Sequence, residues 1–438
     1  VLNINDAVQR TVDNYPLIRQ RMLQVQAGKA HLAAVGDNKL PSLLLHDQLD
    51  MGTANAVQGA YFPLGIVPSL SGSNTVQQNS PNAGNVAISF LQWNFFNFGY
   101  YDAQRKEADA ALAVNEAVLG NDTYQLSQAV INLYLDWLKK YRLMQVQQRN
   151  VDRASVTLTS IRATVNSGLK PGVDSATAAA VYADARIAYL EAVDAYNYDR
   201  ITMGTYVAMP DGGLLPDTTL IANVPSSGQL LLPVADSVAS DHPLLNVYQR
   251  LYEQQVAANN ATARRYLPRI GLDGAAWVRN SGISPSGTYP PDGLSDGMAN
   301  SKYNYLMGLT FTWNIVDLKR RHDELAEGNF NAGASTSAFQ EQKLTLSRMM
   351  QQANSSYNTT QQKLREIPLQ LNSAQQAYGQ QLALYRSGLN TLVDVTNAQY
   401  VLQQAETNYV VTQDELLQLL TLRAGLSGQL SAFLQKLK

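Results

Sequence analysis

The residue types that most often carry chemistry are sparse in this chain and poorly spaced for it. Four histidines, His31, His46, His242 and His322, lie far apart, and none belongs to an H-E-x-x-H pair that could hold zinc. No P-loop and no G-x-S-x-G stretch is present, so neither phosphate cradling nor an elbow-mounted serine nucleophile has a basis. The chain has no cysteine, which removes thiol chemistry, Cys-based zinc sites and disulfides, leaves an oxidising compartment open, and gives no expectation of a lipidated N-terminal Cys in the chain as given. The carboxylate pairs Asp323-Glu324 and Asp414-Glu415 are adjacent on helical stretches, hence on different faces, and are expected to be solvated. No catalytic, cofactor-binding or metal-ligating set emerges, and the chain reads as a non-enzyme. One acid has a legible local role: Thr391-Leu392-Val393-Asp394 fits a capping box at a helix start.

Composition points the same way. The chain has 438 residues, with 33 Lys+Arg against 35 Asp+Glu, so the net charge is −2 and no basic run offers a nucleic-acid surface. Charged residues are only 16 %, below the ~25 % of ordinary soluble domains. Neutral polar side chains replace them: there are 37 Gln, more than all the carboxylates. No stretch of 18 uninterrupted apolar residues occurs, so no transmembrane helix is expected. The start at Val1 fits a mature protein whose leader has been removed.

The elements that would position any site are repeated. Ser167-Gly168-Leu169 recurs 220 residues later as Ser387-Gly388-Leu389, as do Val173-Asp174 in Val393-Asp394 and Trp93-Asn94 in Trp313-Asn314. Upstream the offset is 227: Leu40-Pro41 matches Leu267-Pro268, and Pro16-Leu17 matches Pro243-Leu244. The extra residues fall between Pro41 and Trp93, in a stretch rich in Gly, Pro, Asn and Ser. The expected organisation is a first repeat over 1–206, a connector over 207–236 with several Pro and Gly, a second repeat over 237–425 and a C-terminal segment over 426–438.

Each repeat reads as a helix (4–36; about 237–266), a strand (42–52; 270–279), a loop, a second strand (85–95; 303–313), a very long helix (98–166; 318–386) and a returning helix (172–206; 391–424). The strand from Tyr303 alternates: Tyr303, Tyr305, Met307, Leu309, Phe311 and Trp313 on one face, mostly small and polar residues on the other. Such a strand is long enough to cross a bilayer in a barrel, and it also fits half-burial in a soluble sheet. In the long helix, Leu126, Val130, Leu133, Trp137, Tyr141 and Met144 keep a helical spacing. In the returning helix, Val395, Ala398, Leu402, Ala405, Tyr409, Thr412, Leu416 and Leu419 keep a heptad, and Ala178, Tyr182, Ala185, Tyr189, Ala192 and Tyr196 repeat it. Some 69 residues of helix make a rod of roughly 100 Å, which no globular core wraps. The first and returning helices, stacked end to end, match that length. Pro368 is expected to bend the second long helix only, because its repeat mate is Gln148.

Four strands with a lipid-facing side cannot close a barrel, and open edges are not tolerated in hydrocarbon. Three chains would supply twelve strands and twelve helical rods, enough for an open lumen. From Gln351 to Gln381 there are nine Gln and only three charged residues, Lys363, Arg365 and Glu366. That face suits the wet wall of a tube, or equally a solvated outer surface.

The doubled order of these motifs, with Asn14-Tyr15-Pro16-Leu17, the Leu40-Pro41 and Leu267-Pro268 junctions and the Gly-Leu turns, resembles the TolC family of outer-membrane efflux proteins over nearly the whole chain. The resemblance implies a fold of mixed α and β class, mainly α. Two tandem repeats give four transmembrane strands and long coiled-coil helices. A homotrimer then forms a 12-stranded β-barrel in outer-membrane lipid, continued by a 12-helix α-barrel in the periplasm of a Gram-negative bacterium. It implies an exit duct for efflux or type I secretion, with a periplasmic adaptor and, through it, an inner-membrane transporter as partners. The competing reading is a periplasmic coiled-coil structural or adaptor protein without a pore.

The resemblance also assigns roles to residues. The family closes its pore at the helical turns, where Asp394 matches an entrance aspartate and Asn397 stands one turn on, where a second aspartate would be. One acidic ring rather than two is then expected. Asp174 and Tyr385 match a pair linking neighbouring tip helices in the closed state. Gly168, Leu169, Gly388 and Leu389 match turns that contact the adaptor, and Gly there also terminates a helix in its own right. The 207–236 and 426–438 segments are expected to form an equatorial layer around the helical tube.

Overall fold

The structure is a computed structural model, and it describes residues 1–53, 55, 77, 79–168, 170–209, 213–219, 235–284 and 293–436. In chain order the elements are α1 (Ile4–Asn14), α2 (Pro16–Gly36), a 3-10 turn (Asp37–Lys39), β1 (Ser42–Gly52), β2 (Asn82–Phe96), α3 (Tyr100–Asn166) and α4 (Gly172–Tyr206). They continue with α5 (Pro243–Arg265), β3 (Arg269–Ser281), α6 (Gly293–Met298), β4 (Lys302–Thr312), α7 (Asp317–Arg386), α8 (Leu392–Leu426) and α9 (Leu430–Lys436). Among the described residues the chain is mainly helical with one small sheet. Among the described residues, no helix is long and apolar enough to cross a membrane.

Two expected boundaries are corrected. The helix read over 4–36 is two helices, because Tyr15 precedes Pro16 and takes extended dihedrals (φ −72, ψ 128). A residue before proline is pushed out of the α region, and proline then serves as the first residue of the next helix. The helix read from about 237 begins at Pro243 for the same reason. The short helix α6 was not anticipated.

The chain divides into two compact units, each drawing on both sequence copies. One comprises Val1–Gly28, Ala111–Glu253 and Ala332–Lys438; the other comprises Lys29–Ala110 and Gln254–Asn331. The second unit holds the four-stranded antiparallel sheet, in the order β1-β2-β3-β4. Its register puts Ser42 opposite Gln92, Ala87 opposite Val278 and Tyr303 opposite Val278, with an irregularity between Trp93 and Phe96. Directly paired residues share a face, so Leu43, Leu45, Leu49, Met51, Leu272, Val278, Tyr303, Tyr305, Met307, Leu309 and Phe311 form one mainly apolar side, which also carries Asp47, Asn85, Ser89 and Asn280. Ser42, Gln48, Asp50, Gln92, Asp273, Arg279, Lys302, Asn304 and Thr310 stand on the other, with several apolar neighbours. The edge strands leave most of those large apolar residues exposed within the chain. Glu324, expected to be solvated, instead accepts from Tyr266 (2.7 Å) and Arg320 (3.1 Å) and pairs with Arg265.

The first unit is held by a core where α1, α3, α4, α7, α8 and α9 meet. Val130, Tyr134, Trp137 and Leu138 of α3 are fully or almost fully buried there, with Met203 of α4 and Leu416 and Leu420 of α8. Trp137 meets Tyr134 edge-on (centroids 5.8 Å apart) and stacks on Tyr196 (6.2 Å). The Tyr134 hydroxyl donates to the Leu2 carbonyl (2.8 Å) and accepts from the Asp217 amide (2.9 Å). Those bonds satisfy its buried polar end, and burial pushes its pKa well up. The heptads of α4 and α8 turn inward, and in α7 the Gln351–Gln381 glutamines are exposed except Gln361 and Gln381. Most of the connector, 210–212 and 220–234, lies outside the described residues. Its Leu214, with Leu430 and Phe433 of α9, packs on this core.

Candidate functional site

The sites expected from the sequence gather where α3 turns into α4 and α7 into α8. Both turns rest on a left-handed glycine, Gly168 (φ +75) and Gly388 (φ +76). No atom would crowd a Cβ at either position, so the backbone dihedral alone demands glycine. The Gly388 amide donates to the Tyr385 carbonyl (3.0 Å) and the Leu389 amide to the Leu384 carbonyl (2.9 Å). That pair of bonds closes a Schellman motif and satisfies carbonyls that the helix end would leave orphaned. Gly168 makes the matching bond to Val165 (2.9 Å); Leu169 lies outside the described residues. Leu389, Val173 and Val393 are large apolar side chains left exposed around the turns.

One hydrogen bond ties the two turns together. The Tyr385 hydroxyl donates to Asp174 Oδ2 at 3.0 Å. Its ring sits in a small buried cluster with Leu158, Ile161, Ala178, Leu392 and Val395, and Lys170 Nζ lies 4.5 Å from the ring centre. Burial, and then the neighbouring Asp174 carboxylate, push the Tyr385 pKa up to about 12, so the hydroxyl keeps the proton it donates.

Asp394 and Asn397 are exposed on α8, while Leu392 and Val395 beside them are buried. The capping box forms: Thr391 N and Thr391 Oγ1 donate to Asp394 Oδ2 (3.0 and 2.7 Å), and Asp394 N donates to Thr391 Oγ1 (3.4 Å). The side-chain and then the backbone bond from Thr391 hold the Asp394 carboxyl below the usual carboxylate range. Among the described residues, no group of three His, Cys, Asp or Glu could hold a metal ion.

Sequence reasoning missed a polar seam between α3 and α8. From the core outward, Lys139 meets Asp414 (3.3 Å) and Arg142 Nη2 donates to Gln413 (2.8 Å). Next, Gln403 donates to Gln147 (3.0 Å) and Gln399 to Asn150 (2.9 Å). Arg153 grips Glu406 with both terminal nitrogens (3.2 and 2.8 Å). Asp414, expected to be solvated, is only 7 % exposed. Burial pushes its carboxyl up to about 6, with Lys139 opposing the shift. Its neighbour Glu415 faces Lys363 instead, at 3.1 Å. The seam continues sideways as alternating charges. Lys139 also pairs with Asp136, Asp136 with Lys140 (3.2 Å), and Lys140 with buried Asp199 on α4 (2.8 Å).

No curated protein sequence matches the chain. Solved structures match the fold closely. The outer membrane protein VceC of Vibrio cholerae aligns with TM-score 0.74 at 14% identity, covering 98% of this chain and 96% of that one. The CmeC outer membrane channel of Campylobacter jejuni gives 0.74 at 12% identity, covering 99% and 89%. The open state of the Neisseria gonorrhoeae MtrE outer membrane channel gives 0.74 at 16% identity, covering 98% and 89%. A sequence model of outer membrane efflux proteins matches residues 7–206 and 237–426, nearly the whole of both repeats, and the chain therefore belongs to the outer membrane efflux protein family.

Proposed function

We propose that this chain is one third of an outer-membrane exit duct that carries solutes away from a periplasmic adaptor and an inner-membrane transporter. The observation that carries the reading is the sheet. Its two outer strands, β1 and β4, each pair on one side only among the described residues, and both expose large apolar side chains. An isolated four-stranded sheet of this kind has unpaired edges and an unburied apolar face. Three copies joined edge to edge make twelve strands, pair every edge and leave the apolar side to lipid.

In this reading the turns form the periplasmic gate. Asp394 lines the narrow end, with Asn397 one turn further along. The Tyr385–Asp174 bond holds the second-copy hairpin to the first in the closed state. Gly168, Leu169, Gly388 and Leu389 form the tips that meet the adaptor, and the exposed Leu389, Val173 and Val393 give that contact an apolar component. The described parts of 207–236 and 426–438 belong to an equatorial layer, and Pro368 bends the second hairpin.

The test is electrical. Protein extracted from outer membranes in detergent is expected to run as a trimer and to raise the conductance of a planar bilayer in discrete steps. A monomer extractable without detergent, and no conductance even with Asp394→Ala, would favour the coiled-coil adaptor instead.

A further inference from the structure

The rungs of the α3–α8 seam are not equivalent. Gln147, Asn150, Gln399 and Gln403 are amides, each both donor and acceptor, and exchange one another for water at little cost. Glu406 differs. It is 9 % exposed, it receives the forked pair of bonds from Arg153, and Arg149 Nε lies 3.5 Å from the same carboxylate. Separating α8 from α3 at this level strips a buried carboxylate of its cation, which is among the costlier changes a helix interface can undergo. Arg149, also on α3, is half exposed and reaches the carboxylate only by this longer single contact.

Glu406 lies twelve residues beyond Asp394, about 18 Å along α8. The apolar cluster around Tyr385 lies between that level and the turns. The geometry points to a second latch: the Arg153–Glu406 pair fixes how far along its length α8 can leave α3 when the tip moves. The Tyr385–Asp174 bond holds the turn itself, and Arg153 and Glu406 act as positioning residues behind it. This rests on the gate reading of the turns.

Single-channel recordings of the full protein separate the two ideas. Tyr385→Phe alone is expected to raise the open probability. Adding Glu406→Gln, which keeps the shape and removes the charge, is expected to raise it roughly tenfold further, the equivalent of about 1.4 kcal/mol. Arg153→Lys gives one bond in place of two and an intermediate rise. The exchange Arg153→Glu with Glu406→Arg in the Tyr385→Phe background is expected to return the channel to the Tyr385→Phe level, which a merely structural role would not do. If Tyr385→Phe opens the channel and neither Glu406→Gln nor Arg153→Lys adds to it, the second latch is overturned and the gate stands. If no tip or seam variant changes conductance, both are overturned.

Discussion

Tyr385 and Asp174 stand 211 residues apart in the chain, yet a 3.0 Å hydrogen bond joins them across two helical turns. The donor is a phenol held neutral up to about pH 12 and the acceptor is a carboxylate. A bond of that kind contributes roughly 1.5 kcal/mol or more. Tyr385→Phe removes the donor and leaves the ring in its apolar cluster, so folding is expected to survive. Conductance in a planar bilayer is expected to rise, with the closed-to-open ratio falling about tenfold from a channel that is almost always closed. Because the hydroxyl does not titrate below about 12, loss of the link on mild alkalinisation would contradict this.

Asp414 gives a pH signature of the opposite sign to most buried acids in ion pairs. Its carboxyl is raised from 3.8 to about 6 by burial, against the pull of Lys139. The folded state therefore binds this proton more tightly than the unfolded chain. Stability increases as pH falls from about 6 toward 3.8, and the ionised form costs stability at neutral pH. Asp414→Asn keeps an acceptor for Lys139 and Gln418 and removes the charge. It is expected to stabilise the protein at pH 7 by on the order of 2 kcal/mol. It should also flatten the pH dependence between 4 and 6, read as the midpoint of thermal unfolding. A variant less stable than wild type at pH 7 would mean that the Lys139 pair outweighs burial.

The contrast between these two residues shows which features are legible in a sequence. Hairpin turns, strands and heptads are local patterns, and Gly388, Tyr303 and Val395 each declare their role within a few residues. Asp174 and Tyr385 become a pair only through the repeat and its family resemblance, since nothing near either residue points to the other. Asp414 and Glu406 were unreadable because burial and pairing come from α3. The Arg153–Glu406 partners are 253 residues apart and belong to different copies. Adjacent acids on a helix look solvated until the helix that covers one of them is known. The break at Tyr15 was readable from Pro16, but the long helical pattern on both sides obscured it.

Gly388 sits at φ +76 with open space around it. Gly388→Ala therefore adds no clash, and its whole effect is backbone strain of about 1–2 kcal/mol. The expected outcome is a frayed α7–α8 turn with the sheet unaffected, detected as faster amide exchange over 384–391 and weaker capture of the cognate periplasmic adaptor. Gly168→Ala is expected to act alike on the other hairpin. Unchanged exchange in both variants would show that the turns relax without the left-handed residue.

Asp394 is held by Thr391 and still faces solvent. Its folded pKa is depressed, so its contribution to helix stability is present above the ordinary carboxylate range and is lost as pH falls through the lower folded value. At neutral pH the group is charged, and in a trimer three such carboxylates near one axis attract divalent cations. Asn397, three residues on, is neutral, so in such a trimer Asp394 alone would carry that attraction. Asp394→Ala removes both the charge and the capping bond. It is expected to weaken block by added divalent cations about tenfold and to loosen the first turn of α8. Asp394→Asn keeps the cap and loses only the charge, so it separates the two effects. If both variants are blocked like wild type, Asp394 caps α8 and does nothing at the gate; if Asp394→Asn loses block and keeps its melting midpoint, the carboxylate acts on the passing ion directly.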